Sequence, residues 1–192
     1  MSLASAVPNA KVFLWIGMIM ILIGFLFKVS AAPFHFWTAD VYEGAPTIFT
    51  AYMATVVKTA GFYALYRIMS QSFGNEHAVW ANILYVVIAL SLIIGNITAV
   101  FQHNFKRMLA FSSISQAGFM LFSILGLGSN SSSSIGFYAA GYAFATISAF
   151  GVLIVVSANQ IENGRPNENI NVFNGLFSKS PLLAIVLLIS ML

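Results

Sequence analysis

Two lysines stand where a lysine is costly. Lys58 lies inside the apolar run from Ala45 to Tyr66, and Lys28 interrupts another run that begins at Val12. At 1.5 Å per helical residue, Lys58 is about 20 Å from Ala45 and about 13 Å from Arg67, too deep for its stem to snorkel to water. An ammonium at that depth costs ~3 kcal/mol on insertion scales. Such a lysine belongs in a polar interior, where it can exchange its proton near neutral pH; the alternative is a static ion pair with an acid of another subunit. Lys28 lies about 18 Å from Asp40 and five residues before Pro33. Carbonyls freed by a helix break would solvate its ammonium, or it braces the break in a fixed pair. Two deep lysines on consecutive spans point to a proton relay. His35, between Phe34 and Phe36, can pass protons at physiological pH or serve as a hydrogen-bonded core residue. Asp40 and Glu43 share a helix face near the membrane surface, as acceptors of a proton or cation, as partners of a neighbouring subunit, or as a solvated helix end. Ser112, Ser115 and Gln116 share another face, with Ser113 beside them; such groups can line a polar path or simply bond helices together.

Other chemistries drop out. No second histidine or carboxylate stands at metal spacing to His35, so no metal site is expected. Without cysteine there is no disulfide, no thiolate nucleophile and no iron–sulfur ligation. No glycine-rich phosphate loop, Ser-His-Asp set or redox cofactor site is present. The net charge of +3 comes from eight scattered basic residues, which gives no patch for nucleic acid.

The elements that must position these side chains follow from composition. Of 192 residues, 59% are hydrophobic and 7% charged, and the mean hydropathy is +0.89. That excludes a soluble domain and leaves an all-α polytopic membrane protein. Five full transmembrane spans are expected: the first from Lys11 to Glu43, then Ala45–Tyr66, Ala78–Phe101, Met108–Leu127 and Ile135–Ala158. Pro181 to Leu192 rises only about 18 Å and reads as a truncated sixth, so a fragment or an interrupted reading frame is expected. The first span would be about 50 Å long as one helix. Pro33 interrupts it, because proline lacks the N–H and its ring clashes with the preceding turn. Two half-helices, 11–31 and 34–44, with an irregular joint are therefore expected, a construction that marks ion pathways in transporters.

Ser70 to His77 reads as a polar interfacial stretch, Gln102 to Arg107 as a basic one, Gly128 to Ser134 as a flexible linker, and Asn159 to Ser180 as the longest polar segment. Lys28 and Pro33 on either side of Ser30-Ala31-Ala32 argue against signal-peptide cleavage. Lys106, Arg107, Arg165 and Lys179 on one set of loops, against Arg67 on the other, place the Lys106 loop in the cytoplasm and Met1 on the periplasmic face.

The stretch from Phe27-Lys28-Val29-Ser30-Ala31-Ala32-Pro33-Phe34-His35-Phe36-Trp37 through Asp40-Val41-Tyr42-Glu43-Gly44-Ala45-Pro46-Thr47 resembles the signature of the antiporter-like membrane subunits of proton-pumping NADH:quinone oxidoreductase (respiratory complex I), subunit N in particular. The resemblance continues at Ala54-Thr55-Val56-Val57-Lys58, at Lys106-Arg107-Met108-Leu109-Ala110-Phe111-Ser112-Ser113-Ile114-Ser115 with Gly118, and from Gly141 to Val152. It implies two inverted five-helix repeats, with 11–69 ending the first, 78–192 beginning the second, and 1–192 forming one membrane domain. It implies that Lys28 and Lys58 are intramembrane proton carriers and Pro33 the helix break. The helix with the family's essential glutamate would lie upstream of Met1 and the second broken helix after Leu192. Ala39, Ile48 and Val57 stand where many members have proline, and Gln116 where many have histidine. An amide cannot titrate there.

The resemblance further implies a non-redox subunit of a proton-translocating oxidoreductase in a bacterial inner membrane, within a hetero-oligomer of other membrane subunits and the lipid bilayer. NADH, FMN, iron–sulfur clusters and quinone would belong to partner subunits. The alternatives are a subunit of a Mrp-type cation/proton antiporter and a purely structural membrane anchor.

Overall fold

In lipid, each backbone N–H and C=O must find its partner within the protein, so long apolar runs become helices. The computed structural model describes residues 10–126, 130–158, 160–162 and 165–192. Its elements are α1 (Ala10–Lys28), α2 (Phe36–Gly44), α3 (Thr47–Tyr52), a π turn (Met53–Val57), α4 (Lys58–Ser72), α5 (His77–Val100), α6 (Phe105–Leu125), α7 (Ser131–Ser157), the two-residue strands β1 (Ile161–Glu162) and β2 (Arg165–Pro166), α8 (Leu176–Lys179) and α9 (Pro181–Met191). Among the described residues, five helical stretches are long and apolar enough to cross a membrane, Thr47–Ser72 counting as one, and Pro181–Met191 is shorter. The all-α membrane architecture thus holds, with one small hairpin in the polar segment after α7.

Three expectations are corrected. The first half-helix ends at Lys28 rather than residue 31, and the second starts at Phe36 rather than 34. The stop precedes the proline because Ser30 adopts φ 63° and closes a Schellman motif. Ser30 N–H donates to the Phe27 carbonyl at 3.1 Å, and Ala31 N–H donates to Leu26 at 2.9 Å. Glycine is the usual residue in that left-handed position. Second, Ser131 to Ser134 form the first turn of α7 rather than a linker; Gly128 and Ser129 lie outside the described residues. Third, the basic stretch Gln102–Arg107 is in part helical, since Phe105 begins α6, and within it Lys106 is buried whereas His103 is exposed.

Among the described residues, besides a smaller apolar core of Val152, Val156, Val172 and Leu176, the helices pack about two larger ones. One joins Met18, Leu22 and Leu26 of α1 to Phe62 and Leu65 of α4, Leu84 of α5, and Met120 and Ile124 of α6. The other joins Ala39 and Tyr42 of α2 to Ala54, Leu109 and Ile114, and Phe150 and Leu153 of α7. The α5–α6 crossing is especially close: a Cβ on Gly95 would lie 2.6 Å from Ser115 N and 3.0 Å from Phe111 O, so backbone meets backbone there. At one end of the bundle Trp15 Nε1 donates to Glu76 at 2.8 Å, and the His77 ring meets the Leu125 carbonyl at 2.9 Å. The turns at 44–46 and 101–104 and residues 166–170 gather at the other end, as alternating spans require.

Candidate functional site

The π turn sets the site. An α-helix turns about 100° per residue, so the extra residue of Met53–Val57 rotates everything after it relative to α3. Lys58 follows at once and points inward, 3% exposed. Its Nζ donates to the Ser113 carbonyl at 2.7 Å and to Ser113 Oγ at 3.0 Å. That hydroxyl can accept because it donates its own proton to the Ala110 carbonyl at 2.8 Å. Two of the three ammonium donors are thereby used. Among the described residues no carboxylate pairs with Lys58, so the charge is met by neutral oxygens alone. Tyr42 of α2 and Tyr142 of α7 come up against the same Ser113, and Tyr142 also reaches Thr146.

Lys28 is placed differently. It is the last residue of α1, exposed on the outer face, and makes no hydrogen bond or ion pair among the described residues. The carbonyls expected to solvate it are taken. Those of Phe25, Leu26 and Phe27 accept from Val29, Ala31 and Ser30, and Phe27 also accepts from Trp37 Nε1 at 3.0 Å. The link to Lys58 is steric: an added Cβ on Gly61, three residues past Lys58, would meet Val29 at 3.0 Å and Lys28 Cγ at 4.0 Å. The two lysines therefore lie on neighbouring helices at similar depth.

Most of the joint between the half-helices is buried, from Val29 to Ala32 and at His35, while Pro33 itself is exposed. The Ala32–Pro33 peptide is cis, and Ala32 N–H donates to Ser91 Oγ of α5 at 2.9 Å. His35 caps α2, 8% exposed. Its ring stacks on Phe36 at 4.7 Å and meets Phe111 edge-on at 6.5 Å. His35 Nδ1 and Thr38 Oγ1, one turn apart, are both buried without a well-formed hydrogen bond among the described residues.

The polar face of α6 divides. Ser113, not Ser112, Ser115 or Gln116, holds Lys58. Ser115 is buried against α5 beside Gly95. Ser112 and Gln116 line a cavity of about 310 Å³ with Tyr138, Tyr142 and Thr146 of α7 and the end of α9, where the Tyr138 hydroxyl donates to Gln116 Oε1. Asp40 and Glu43 are ion-paired rather than simply solvated, to Arg107 at 2.7 and 2.8 Å. Tyr42, Tyr142, Thr38 and Ser91 were not legible as site residues. Tyr142 and Ser91 sit in apolar spans whose only signal is an occasional hydroxyl, and Thr38 and Tyr42 are overshadowed by the neighbouring Asp40 and Glu43.

The comparisons with known proteins bear on these features. Residues 2–192 match the family model described as NADH:quinone oxidoreductase/Mrp antiporter, transmembrane. The chain is 43% identical over 191 residues to NADH-quinone oxidoreductase subunit N of Trichlorobacter lovleyi, covering 99% of this chain and 38% of that protein. It is 42% identical over 177 residues to the subunit of the same name from Desulforamulus reducens, covering 92% and 36%. It superposes on a chain of respiratory complex I from Thermus thermophilus with bound aureothin, with a TM-score of 0.74 and 37% identity, covering 91% of this chain and 36% of that one. It also superposes on a chain of the Mrp complex from Dietzia, with a TM-score of 0.76 and 22% identity, covering 97% and 33%. At that identity the last likeness bears on the fold alone.

Proposed function

We propose, on the premise that this chain belongs to the NADH:quinone oxidoreductase/Mrp antiporter membrane family, that it forms part of a proton-translocating subunit of NADH:quinone oxidoreductase. Lys58 is the central proton carrier, Lys28 and His35 act with it, and quinone reduction in other subunits drives them. The chain spans 38% of the length of its Trichlorobacter relative, so pumping belongs to the whole protein. The setting is a bacterial inner membrane, with other membrane subunits as partners and the redox cofactors on subunits other than this one.

The observation that carries this reading is Lys58, buried and held by Ser113 without a carboxylate. A lysine locked in a buried ion pair would be tied to its charged form. Here both protonation states find partners. As ammonium, Lys58 donates to the Ser113 carbonyl and hydroxyl. As amine, it keeps N–H donors and gains a lone pair, towards which the Ser113 hydroxyl can swing from the Ala110 carbonyl. Tyr142 and Thr146 continue the polar line from Ser113 towards the cavity between α6, α7 and α9. On the α2 side, His35 Nδ1 and Thr38 Oγ1 are buried acceptors and donors suited to a proton-carrying water.

Lys58→Ala in the full chain, assembled in its native membranes, tests the proposal. Insertion and assembly should persist while proton pumping in sealed vesicles is lost or strongly reduced. Unchanged proton-to-electron stoichiometry would sink the role of Lys58. A structural anchor would give no reason for a buried lysine at mid-depth. A free Mrp-type antiporter would exchange cations for protons without any redox partner, which the same vesicles distinguish by withholding NADH.

A further inference from the structure

Besides Lys58, one charged side chain is fully buried among the described residues: Lys106, 3% exposed, in the first turn of α6. Its Nζ makes an ion pair with Glu168 at 2.8 Å and donates to the Ala45 carbonyl, also at 2.8 Å. Ala45 lies in the turn between α2 and α3. Glu168 also accepts from Thr47 Oγ1, the first residue of α3, at 3.3 Å. Glu168 belongs to the segment after the hairpin, and that segment is fastened to α6 by its backbone. Phe105 N–H donates to the Glu168 carbonyl at 2.8 Å, and Ile170 N–H donates to that of His103 at 2.9 Å. These two bonds flank Asn104 and Asn169, which face each other as an antiparallel pair. Residues 166–170 are thus a strap joining the start of α6 to the turn that links the second half of the broken span to the Lys58 helix.

An ion pair between a buried Lys106 and a Glu168 side chain that is 17% exposed gains little stability, because desolvation consumes much of the attraction. It does fix geometry. Lys106 and Ser113 are seven residues apart, two turns along one face of α6, or about 10 Å. On the other side, the turn carries Thr47, and the π turn leads from there to Lys58. Helix α6 therefore spans the distance between a clamp at the turn and the oxygen atoms that hold the Lys58 ammonium.

We propose that Lys106 and Glu168 are positioning residues for Lys58: their ion pair, seated on the Ala45 carbonyl and Thr47, holds α3 in register with α6 so that Lys58 meets Ser113. The inference rests on the proton-carrier reading of Lys58 given above.

The test uses the full chain in native membranes. Glu168→Gln removes the charge but keeps an acceptor. It should lower the proton-pumping rate per assembled complex on the order of tenfold, the population change expected when one charge-assisted hydrogen bond is lost. The readout that separates positioning from proton carriage is covalent rescue. Asn104 and Asn169 form a non-hydrogen-bonded antiparallel pair, the arrangement with the closest side chains, in a chain that has no cysteine. Adding Asn104→Cys and Asn169→Cys to Glu168→Gln should restore pumping when oxidised and lose it again on reduction.

Wild-type pumping by Glu168→Gln, or a loss the disulfide does not restore, would overturn the proposal; the second result would make the carboxylate itself a proton carrier. If Glu168→Gln fails to assemble, the double variant Lys106→Gln/Glu168→Gln, which leaves no unpaired buried charge, decides by the same readout. Lys58→Ala in parallel separates the two claims. Normal pumping there refutes the role of Lys58, whereas its loss beside normal pumping in Glu168→Gln refutes only the clamp.

Discussion

The α5–α6 crossing offers the sharpest test of the packing. A methyl group at Gly95 would meet Ser115 N at 2.6 Å, with Phe111 O and Ser115 Cα both at 3.0 Å. All three are backbone atoms, so no rotamer change can make room. Ordinary contact begins near 3.4 Å, so the helices must separate by about 0.8 Å in Gly95→Ala. Overpacking of this kind costs about 1–3 kcal/mol, which lowers the thermal midpoint. Function should suffer with it, because α6 carries Ser113 and α5 carries Ser91, which holds Ala32 in the helix break. Gly141→Ala on α7 is the control, since nothing lies within 4 Å of a Cβ there. Thermal unfolding of the purified complex, with proton pumping in reconstituted vesicles, reads both effects. If Gly95→Ala matched Gly141→Ala in midpoint and pumping, the backbone-on-backbone contact would be wrong.

Two further outcomes follow from Lys28 and from the orientation of the chain. Lys28→Arg keeps the charge beside α4 but replaces a releasable proton with one that arginine does not give up; pumping should fall, and full pumping would make Lys28 a brace for the break. A cysteine at exposed Ser132 should react with an impermeant thiol reagent in intact spheroplasts, whereas one at exposed His103, on the Lys106 face, should react only after lysis. The reverse pattern would invert the topology and with it the direction of any proton path through Lys58.

The sequence by itself determined the membrane class, the number of spans, the broken first span and the depth of Lys58. Each of these is local: a run of apolar residues must satisfy its own backbone hydrogen bonds, and depth is a count of residues times the helical rise. What lay beyond it was rotation and pairing. The Pro33 break was legible, but the helix stops at Lys28 because Ser30 takes a left-handed conformation that serine rarely adopts. Ser112, Ser115 and Gln116 were the expected polar face, yet Ser113 holds Lys58. The phase of a helix is set by its neighbours, here by the π turn before Lys58 and by the close contact of Gly95 on α6.

Lys106 read as one of several basic residues near a membrane surface. Its burial depends on Glu168, 62 residues away, and on a carbonyl in the turn before α3. No periodicity encodes such a partner. In a span that is apolar on every side, hydropathy marks where the chain crosses but not which face turns inward, and only the packing of helix on helix decides that.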